Sequence, residues 1–317
     1  MKVLIVPNYS RPDAVEGARK LDAWLDEQGI EVTWAHDRKL FPNRVTDASG
    51  CGLVVSLGGD GTLLRAARTV GYSEIPILGI SFGHLGFLTS AGPADLVSTV
   101  AAALAGELHM SHRATLDVES EFVRPDGSTY TVHSFALNDF AVSRGGGGDM
   151  VEFDVSVSGN KIDRLRGDGF VVSTATGSTG YALAAGGPIV TPEFSGMVCV
   201  PIAPHKILAR AFLTAPSDVV EIDMSPERPV ERRFFADGQA IGAGEAGWAT
   251  HASIRRGPGD VILLDCHEPH AYAARTYLEM VFVHFAGQTS LDYFRTITRS
   301  RGLAFRHEGF AALYEDM

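Results

Sequence analysis

The chain has 317 residues, enough for one large or two medium domains, and 45% of them are hydrophobic, ample for a real core. Its formal net charge of -11 argues against coating nucleic acid or an anionic membrane, so an anionic ligand must be held by local dipoles and a few cations. Three widely spaced cysteines, Cys51, Cys199 and Cys266, form no Cys-x-x-Cys pair, which argues against a disulfide framework or cysteine zinc site and for a reducing, cytoplasmic compartment.

Lys2–Pro7 reads as a first strand, too short an apolar run for a signal peptide. Asp13–Gln28 carries apolar residues at helical spacing (Ala14, Ala18, Leu21, Trp24, Leu25). Strands are expected at Glu31–Ala35, Gly52–Leu57 and Ile75–Ile80, with helices after Gly61 and at Ala94–Leu104. This alternation implies an α/β domain with a parallel sheet covered on both faces, its ligands outside the carboxyl ends of the strands. From near His112 the runs become short and alternating: Ala114–Phe122, Tyr130–Val142, Phe153–Val157, Lys161–Leu165, Gly169–Thr174, Val198–Ile202, Val219–Met224, Arg233–Ala236, Ala252–Arg256 and Val261–Asp265. They predict a β-rich, β-sandwich-like second domain, with Gly145–Gly148 as a hairpin tip or loop. The expected division is 1–111, then 112–276, with 277–317 returning to helical composition, including a short helix at Leu291–Ile297, and folding back on the first domain. No stretch approaches the roughly 20 apolar residues of a membrane span.

Two segments carry chemistry. Gly58-Gly59-Asp60-Gly61-Thr62 joins a buried strand to a helix, so backbone N–H groups and the positive helix end converge on one point suited to phosphate. Three glycines let the backbone approach a ligand. Asp60 among them would coordinate magnesium or accept a hydroxyl proton; the plainer reading is a tight turn with Asp60 capping the helix. The run is not a P-loop, and Leu64 stands where a dinucleotide fingerprint needs its third glycine. In Gly167–Tyr181 a strand again runs into glycine and hydroxyl residues before a helix at Tyr181–Ala185, stopped at Gly186-Gly187-Pro188. Ser178 or Thr179 would cap that helix, or the hydroxyls would bind ribose or phosphate oxygens, with Tyr181 stacking on a base. Arg65 and Arg68 share a helix face after the first turn and either neutralise phosphate or are solvated. His205 is structural or catalytic, and Cys266-His267-Glu268-Pro269-His270 reads as a surface loop.

These segments, in this order, resemble the NAD kinases, which phosphorylate the adenosine-ribose 2′-hydroxyl of NAD. The resemblance rests on Gly58–Thr62, Gly79–Leu88, Leu137-Asn138-Asp139, Gly167–Pro188, Pro201–His205 and Asp237-Gly238-Gln239, and covers most of residues 1 to about 300. It implies a Rossmann-like or phosphofructokinase-like first domain and a homo-oligomer, dimer or tetramer. Asp60 would be the general base, with Gly58, Gly59, Gly61 and Thr62 around the phosphates. Asn138 and Asp139 would hold the ribose and adenine parts, and Thr176, Thr179, Gly180 and Tyr181 would line the adenine pocket. Arg166 and Asp168 would lie at the nicotinamide end, Arg166 from a neighbouring subunit, and Gln239 would join the substrate site. The donor would be ATP with Mg²⁺, or polyphosphate. Ser81, Ala175 and Gly180 depart from the family's usual Asn, Pro and Ala. The alternatives are a lipid kinase of the diacylglycerol or sphingosine type, which shares only the first motif, and a non-catalytic dinucleotide sensor, against which an intact Asp60 argues.

Overall fold

The computed structural model describes residues 1–37, 39–41, 44–83, 86–89, 91–146, 148–224, 232–242 and 247–265, all within one compact unit, Met1–Glu268. The expected folding-back of 277–317, the helix at Leu291–Ile297 and the Cys266–His270 loop lie outside the described residues.

The first layer alternates as its sequence pattern demands: β1 Lys2–Pro7, α1 Pro12–Glu27, β2 Glu31–Trp34, β3 Leu53–Gly58, α2 Asp60–Val70, β4 Ile77–Ser81 and α3 Leu96–Ala105. Every residue of β3 and β4 is buried, as a strand covered on both faces requires. One face of the sheet packs Val3, Ile5, Val55 and Ile80 against Leu21 and Leu25 of α1 and Val100 of α3. The other packs Leu4, Val6 and Val54 against Leu63, Ala66 and Ala67 of α2.

Two further strands complete this sheet: β5 His109–Arg113, and β18 Val261–Asp265 at the far end of the described chain. The order is β2-β1-β3-β4-β18-β5, parallel except for β5 against β18. The expectation that Val261–Asp265 belongs to the second domain is therefore corrected. Leu263 and Leu264 register with Ile77 and Leu78 of β4, a long-range pairing that a five-residue apolar run does not disclose. Chain direction reverses between β1 and β3, since β1 leads outward to β2 and β3 leads the other way to β4. Loops at the carboxyl ends of β1 and β3 thus flank the crevice where such sheets bind ligands.

The second layer pair is a sandwich of two antiparallel sheets. One has the order β10-β9-β14-β17-β6-β7, from β6 Leu116–Val123, β7 Thr129–Ala136, β9 Val151–Val157, β10 Asn160–Gly167, β14 Val219–Met224 and β17 Trp248–Arg256. The other has the order β13-β12-β11-β8-β15-β16, from β8 Asp139–Arg144, β11 Gly169–Ser173, β12 Val198–Ile202, β13 Phe212–Leu213, β15 Arg232–Ala236 and β16 Gln239–Ala240. Phe153, Phe170, Phe140 and Phe234 fill the space between the sheets in edge-to-face contacts. A four-residue helix, α4 Tyr181–Ala184, covers the outer face of the second sheet, with Ala182 against Val171 and Val198.

Tyr130–Val142, expected as one strand, is two. The chain breaks at Leu137-Asn138 and crosses from the first sandwich sheet to the second. β8 and β9 likewise belong to different sheets, so of the two forms expected between them, hairpin tip or loop, the loop holds.

Candidate active site

The glycine turn after β3 does not use its three glycines alike. A Cβ on Gly58 would lie 2.3 Å from Thr62 Oγ1, so Gly58 lets the turn close on a buried Thr62, and neither residue faces open space. Cβ atoms on Gly59 or Gly61 would meet nothing within 4 Å. These two open the backbone outward at the start of α2, where the first N–H groups have no acceptor within the helix.

Asp60 does not cap α2, whose cap residue is Gly59. Its half-buried carboxylate turns to the loop after β4 and accepts the N–H of Phe87 at Oδ2 (3.0 Å) and of Leu88 at Oδ1 (3.1 Å). Gly86 makes this approach possible, since a Cβ there would stand 2.0 Å from Asp60 Oδ1. The plain capping reading of Asp60 is thereby excluded by geometry.

The break between β7 and β8 is the second element. Asp237 lies between β15 and β16 with φ 46°, and its carboxylate accepts N–H bonds from Leu137 (3.0 Å), Asn138 (2.7 Å) and Asp139 (3.2 Å). Arg68 of α2 approaches it to 3.7 Å. Arg68 is therefore engaged with a carboxylate, while Arg65 reaches back to donate to the Pro7 carbonyl at the end of β1. Leu137 packs in the same apolar cluster as Leu63 and Ala66, which brings the turn onto α2.

The Gly167–Pro188 segment meets the same turn. Thr174 donates through N to the Asn138 carbonyl (2.9 Å) and through Oγ1 to that of Leu137 (2.6 Å). Gly177 packs so closely that a Cβ would lie 2.2 Å from the Asn138 carbonyl oxygen. Asn138 Oδ1 and Thr176 Oγ1 are buried here without a hydrogen-bond partner. Asp139 is buried, and burial, then the charge of Asp237, pushes its carboxyl up to about 7. Asp237 is also raised by burial, against the opposing pull of its three backbone donors and Arg68. The Tyr181 phenol is raised by burial and then by the negative charge of Asp139 and Asp168.

Asp60, Asn138, Asp139, Thr176 and Tyr181 thus lie on a contiguous set of elements around α2 and the Leu137–Asp139 turn. Thr179 bonds within its own turn, Oγ1 to the Thr176 carbonyl. Asp168 pairs with Arg144 at 2.8 Å. Arg166 is exposed on the edge strand β10, and Gln239 is exposed two residues past Asp237. His205 is exposed, its N–H bonded to the Arg166 carbonyl. Neither Ser178 nor Thr179 caps α4. A 3-10 turn over Thr176–Thr179 precedes it, the cap residue is Gly180, and Ser178 Oγ donates instead to the Ala175 carbonyl. A Cβ on Gly180 would meet only the Gly177 carbonyl, at 3.3 Å, so the family's usual alanine demands a shift of a few tenths of an ångström.

Sequence reasoning missed Asp237 as part of the site, along with Gly86 and Arg144. Asp237 stands in the Asp237-Gly238-Gln239 block that carries the resemblance, and an Asp-Gly pair between two strands is a turn signal that admits a left-handed residue, but neither gives its carboxylate a partner.

Residues 3–108 match the ATP-NAD kinase N-terminal domain and residues 137–245 the ATP-NAD kinase C-terminal domain. An NAD kinase of Methylibium petroleiphilum is 37% identical over 240 residues, spanning 73% of this chain and 79% of that one. One from Gemmatimonas aurantiaca is 40% identical, spanning 76% and 83%. The structure of an Archaeoglobus fulgidus NAD kinase in complex with ATP has a TM-score of 0.66 at 25% identity, covering 84% of this chain and 94% of that one. With both domain matches lying on the two halves just described, the chain belongs to the NAD kinase family and is a phosphotransferase.

Proposed function

We propose that the enzyme phosphorylates the 2′-hydroxyl of the adenosine ribose of NAD to make NADP, with ATP or inorganic polyphosphate as donor. The observation that carries this reading is the pair of buried, unbonded polar atoms, Asn138 Oδ1 and Thr176 Oγ1, beside buried Asp139. Buried polar groups without partners cost about 1–3 kcal/mol each. A ligand with ribose hydroxyls and an exocyclic amine supplies the missing partners. Tyr181, half exposed beside Asp139, offers a ring face to the base, and Thr179 and Gly180 complete that wall.

Asp60 takes the hydroxyl proton as the ribose oxygen attacks the terminal phosphorus. The bond to the departing phosphate oxygen breaks, and its electron pair leaves with the nucleoside diphosphate or shortened polyphosphate. General-base action of this kind is worth roughly 10²–10⁴-fold. Gly59 and Gly61, open at the head of α2, suit the donor phosphates. Magnesium bound with the donor phosphates would offset their charge, and Asp60, half-buried at the head of α2, is the carboxylate that would face it. The Archaeoglobus fulgidus relative, solved with ATP, supports ATP as donor.

Asp168 and Arg166 would serve the far end of NAD, Arg166 from a neighbouring subunit of a dimer or tetramer, and Gln239 would join the substrate site. Exposed Arg166 on an edge strand, with Ile207 and Leu208 exposed at 89% and 82%, supports that arrangement. Buried free thiols at Cys51 and Cys199 fit the cytoplasm, and no described helix is long and apolar enough to cross a membrane.

The test is NADP formation by the purified chain with NAD, magnesium and either ATP or polyphosphate, the phosphate position read by phosphorus NMR. NADP phosphorylated at the 2′ position is the expected product. Phosphorylation of diacylglycerol or sphingosine without NADP would overturn the reading.

A further inference from the structure

Asp237 holds a left-handed backbone, φ 46°, which a non-glycine residue adopts only where its surroundings impose it. Its side chain is fully buried and spends its oxygens on the Leu137, Asn138 and Asp139 N–H groups, while its own N–H donates to the Asp139 carbonyl (2.9 Å). Both strands of contact fix the turn between β7 and β8. Arg68 reaches the same carboxylate from α2, 3.7 Å away. That helix begins with Asp60, about 12 Å along its axis from Arg68 at 1.5 Å per residue. A stiff path therefore runs from Asp60 through α2, Arg68 and Asp237 to Asn138 and Asp139.

We propose that Arg68 and Asp237 form a positioning pair, touching neither substrate, that sets the Leu137–Asp139 turn at a fixed separation from Asp60. The hydroxyl held at the turn then meets the carboxylate held at the head of α2. This rests on the phosphoryl-transfer reading above. Reaction geometry is sensitive at this scale, since a displacement of about 1 Å can cost about a hundredfold in rate. Packing of Leu137 against Leu63 and Ala66 keeps the two elements together without fixing their angle, whereas a charged contact at the turn itself does.

The experiment uses the full chain carrying Arg68→Met, Arg68→Lys or Asp237→Asn, with steady-state NADP formation, calorimetric NAD binding and thermal melting. Arg68→Met keeps the aliphatic stem of a partly exposed residue and removes the charge. It should lower kcat by about 10- to 100-fold with the Michaelis constants for NAD and donor unchanged, the pattern of an interaction realised in the transition state. Arg68→Lys should recover most of the turnover. Asp237→Asn should weaken NAD binding as well, because an amide presents a donor where three N–H groups converge. Wild-type turnover in Arg68→Met overturns the pair. So does a raised Michaelis constant for the donor alone, which would make Arg68 a phosphate ligand, and so does a loss confined to melting temperature. A wild-type chain that forms no NADP overturns the phosphoryl-transfer reading itself, and the pair's role with it.

Discussion

Gly86→Ala should disable catalysis while leaving the fold standing. The added Cβ would lie 2.0 Å from Asp60 Oδ1, 2.5 Å from Cγ and 2.6 Å from Oδ2. To reach even a 3.0 Å separation the carboxylate must move by about 1 Å, a displacement that costs about a hundredfold when it misplaces a reacting group. The same movement breaks the bonds from Phe87 and Leu88 N–H, since a displacement of about 1 Å takes contacts of 3.0 and 3.1 Å well beyond the roughly 3.2 Å limit of good geometry. Hydrogen bonds to a charged group are worth about 1.5–3 kcal/mol, but the half-buried carboxylate recovers much of this from water, so a net loss of about 1 kcal/mol is expected. For a domain of this size that is about 2–4 °C in melting temperature. The assay is kcat for NADP formation beside thermal melting, in Gly86→Ala, Asp60→Asn and the double mutant. If the alanine acts through Asp60, the double mutant is no slower than Asp60→Asn alone, because groups that act as a unit are not additive. A folded Gly86→Ala enzyme with wild-type kcat would refute the idea that the loop aims Asp60.

Asp60→Asn by itself should lower kcat by roughly 10²–10⁴-fold with little change in melting temperature, and near-wild-type turnover would remove Asp60 from the chemistry. Thr176→Val keeps the shape and deletes a buried hydroxyl that has no partner, so it should raise the melting temperature without NAD yet weaken NAD binding by about 1–3 kcal/mol; calorimetry showing unchanged affinity would move the pocket elsewhere. Asp139, pushed up to about 7 mainly by burial, binds its proton more tightly folded than unfolded, so its contribution to stability is complete below the ordinary value of 3.8 and is lost as pH rises through about 7. Relative to Asp139→Asn, the wild-type melting temperature should therefore fall as pH rises from about 4 to about 7, the span between the unfolded and folded values, and parallel profiles for the two proteins would contradict the raised carboxyl.

What was legible in the sequence was local. The strand, glycine turn and helix over 53–70 are three adjacent signals, and they fold where they are written. The break at Leu137-Asn138 was not legible, because Tyr130–Val142 is one alternating run and its interruption is imposed by Asp237, 99 residues from Asn138. The sheet membership of Val261–Asp265 failed for the same reason, since pairing with β4 is a fact about distant chain. The Ser178 or Thr179 cap failed differently. A 3-10 turn draws Ser178 Oγ to the Ala175 carbonyl, a competing local bond that short hydroxyl residues readily make.

The carboxylates explain why the first motif alone could not choose an acceptor. Asp60 is aimed by a loop of its own sheet, through Phe87 and Leu88, and nothing in that arrangement depends on the sandwich. Any kinase with the same turn could present such a group to a lipid or a sugar. On the proposed reading acceptor recognition falls instead to Asn138 and Asp139, where one sandwich sheet hands the chain to the other, and to Thr176, on the segment after β11 that packs against that turn. The two parts meet through Leu137 in the α2 cluster and through Arg68 against Asp237. A change at that junction can thus separate binding from turnover, leaving a chain that still holds its acceptor but no longer brings it to Asp60.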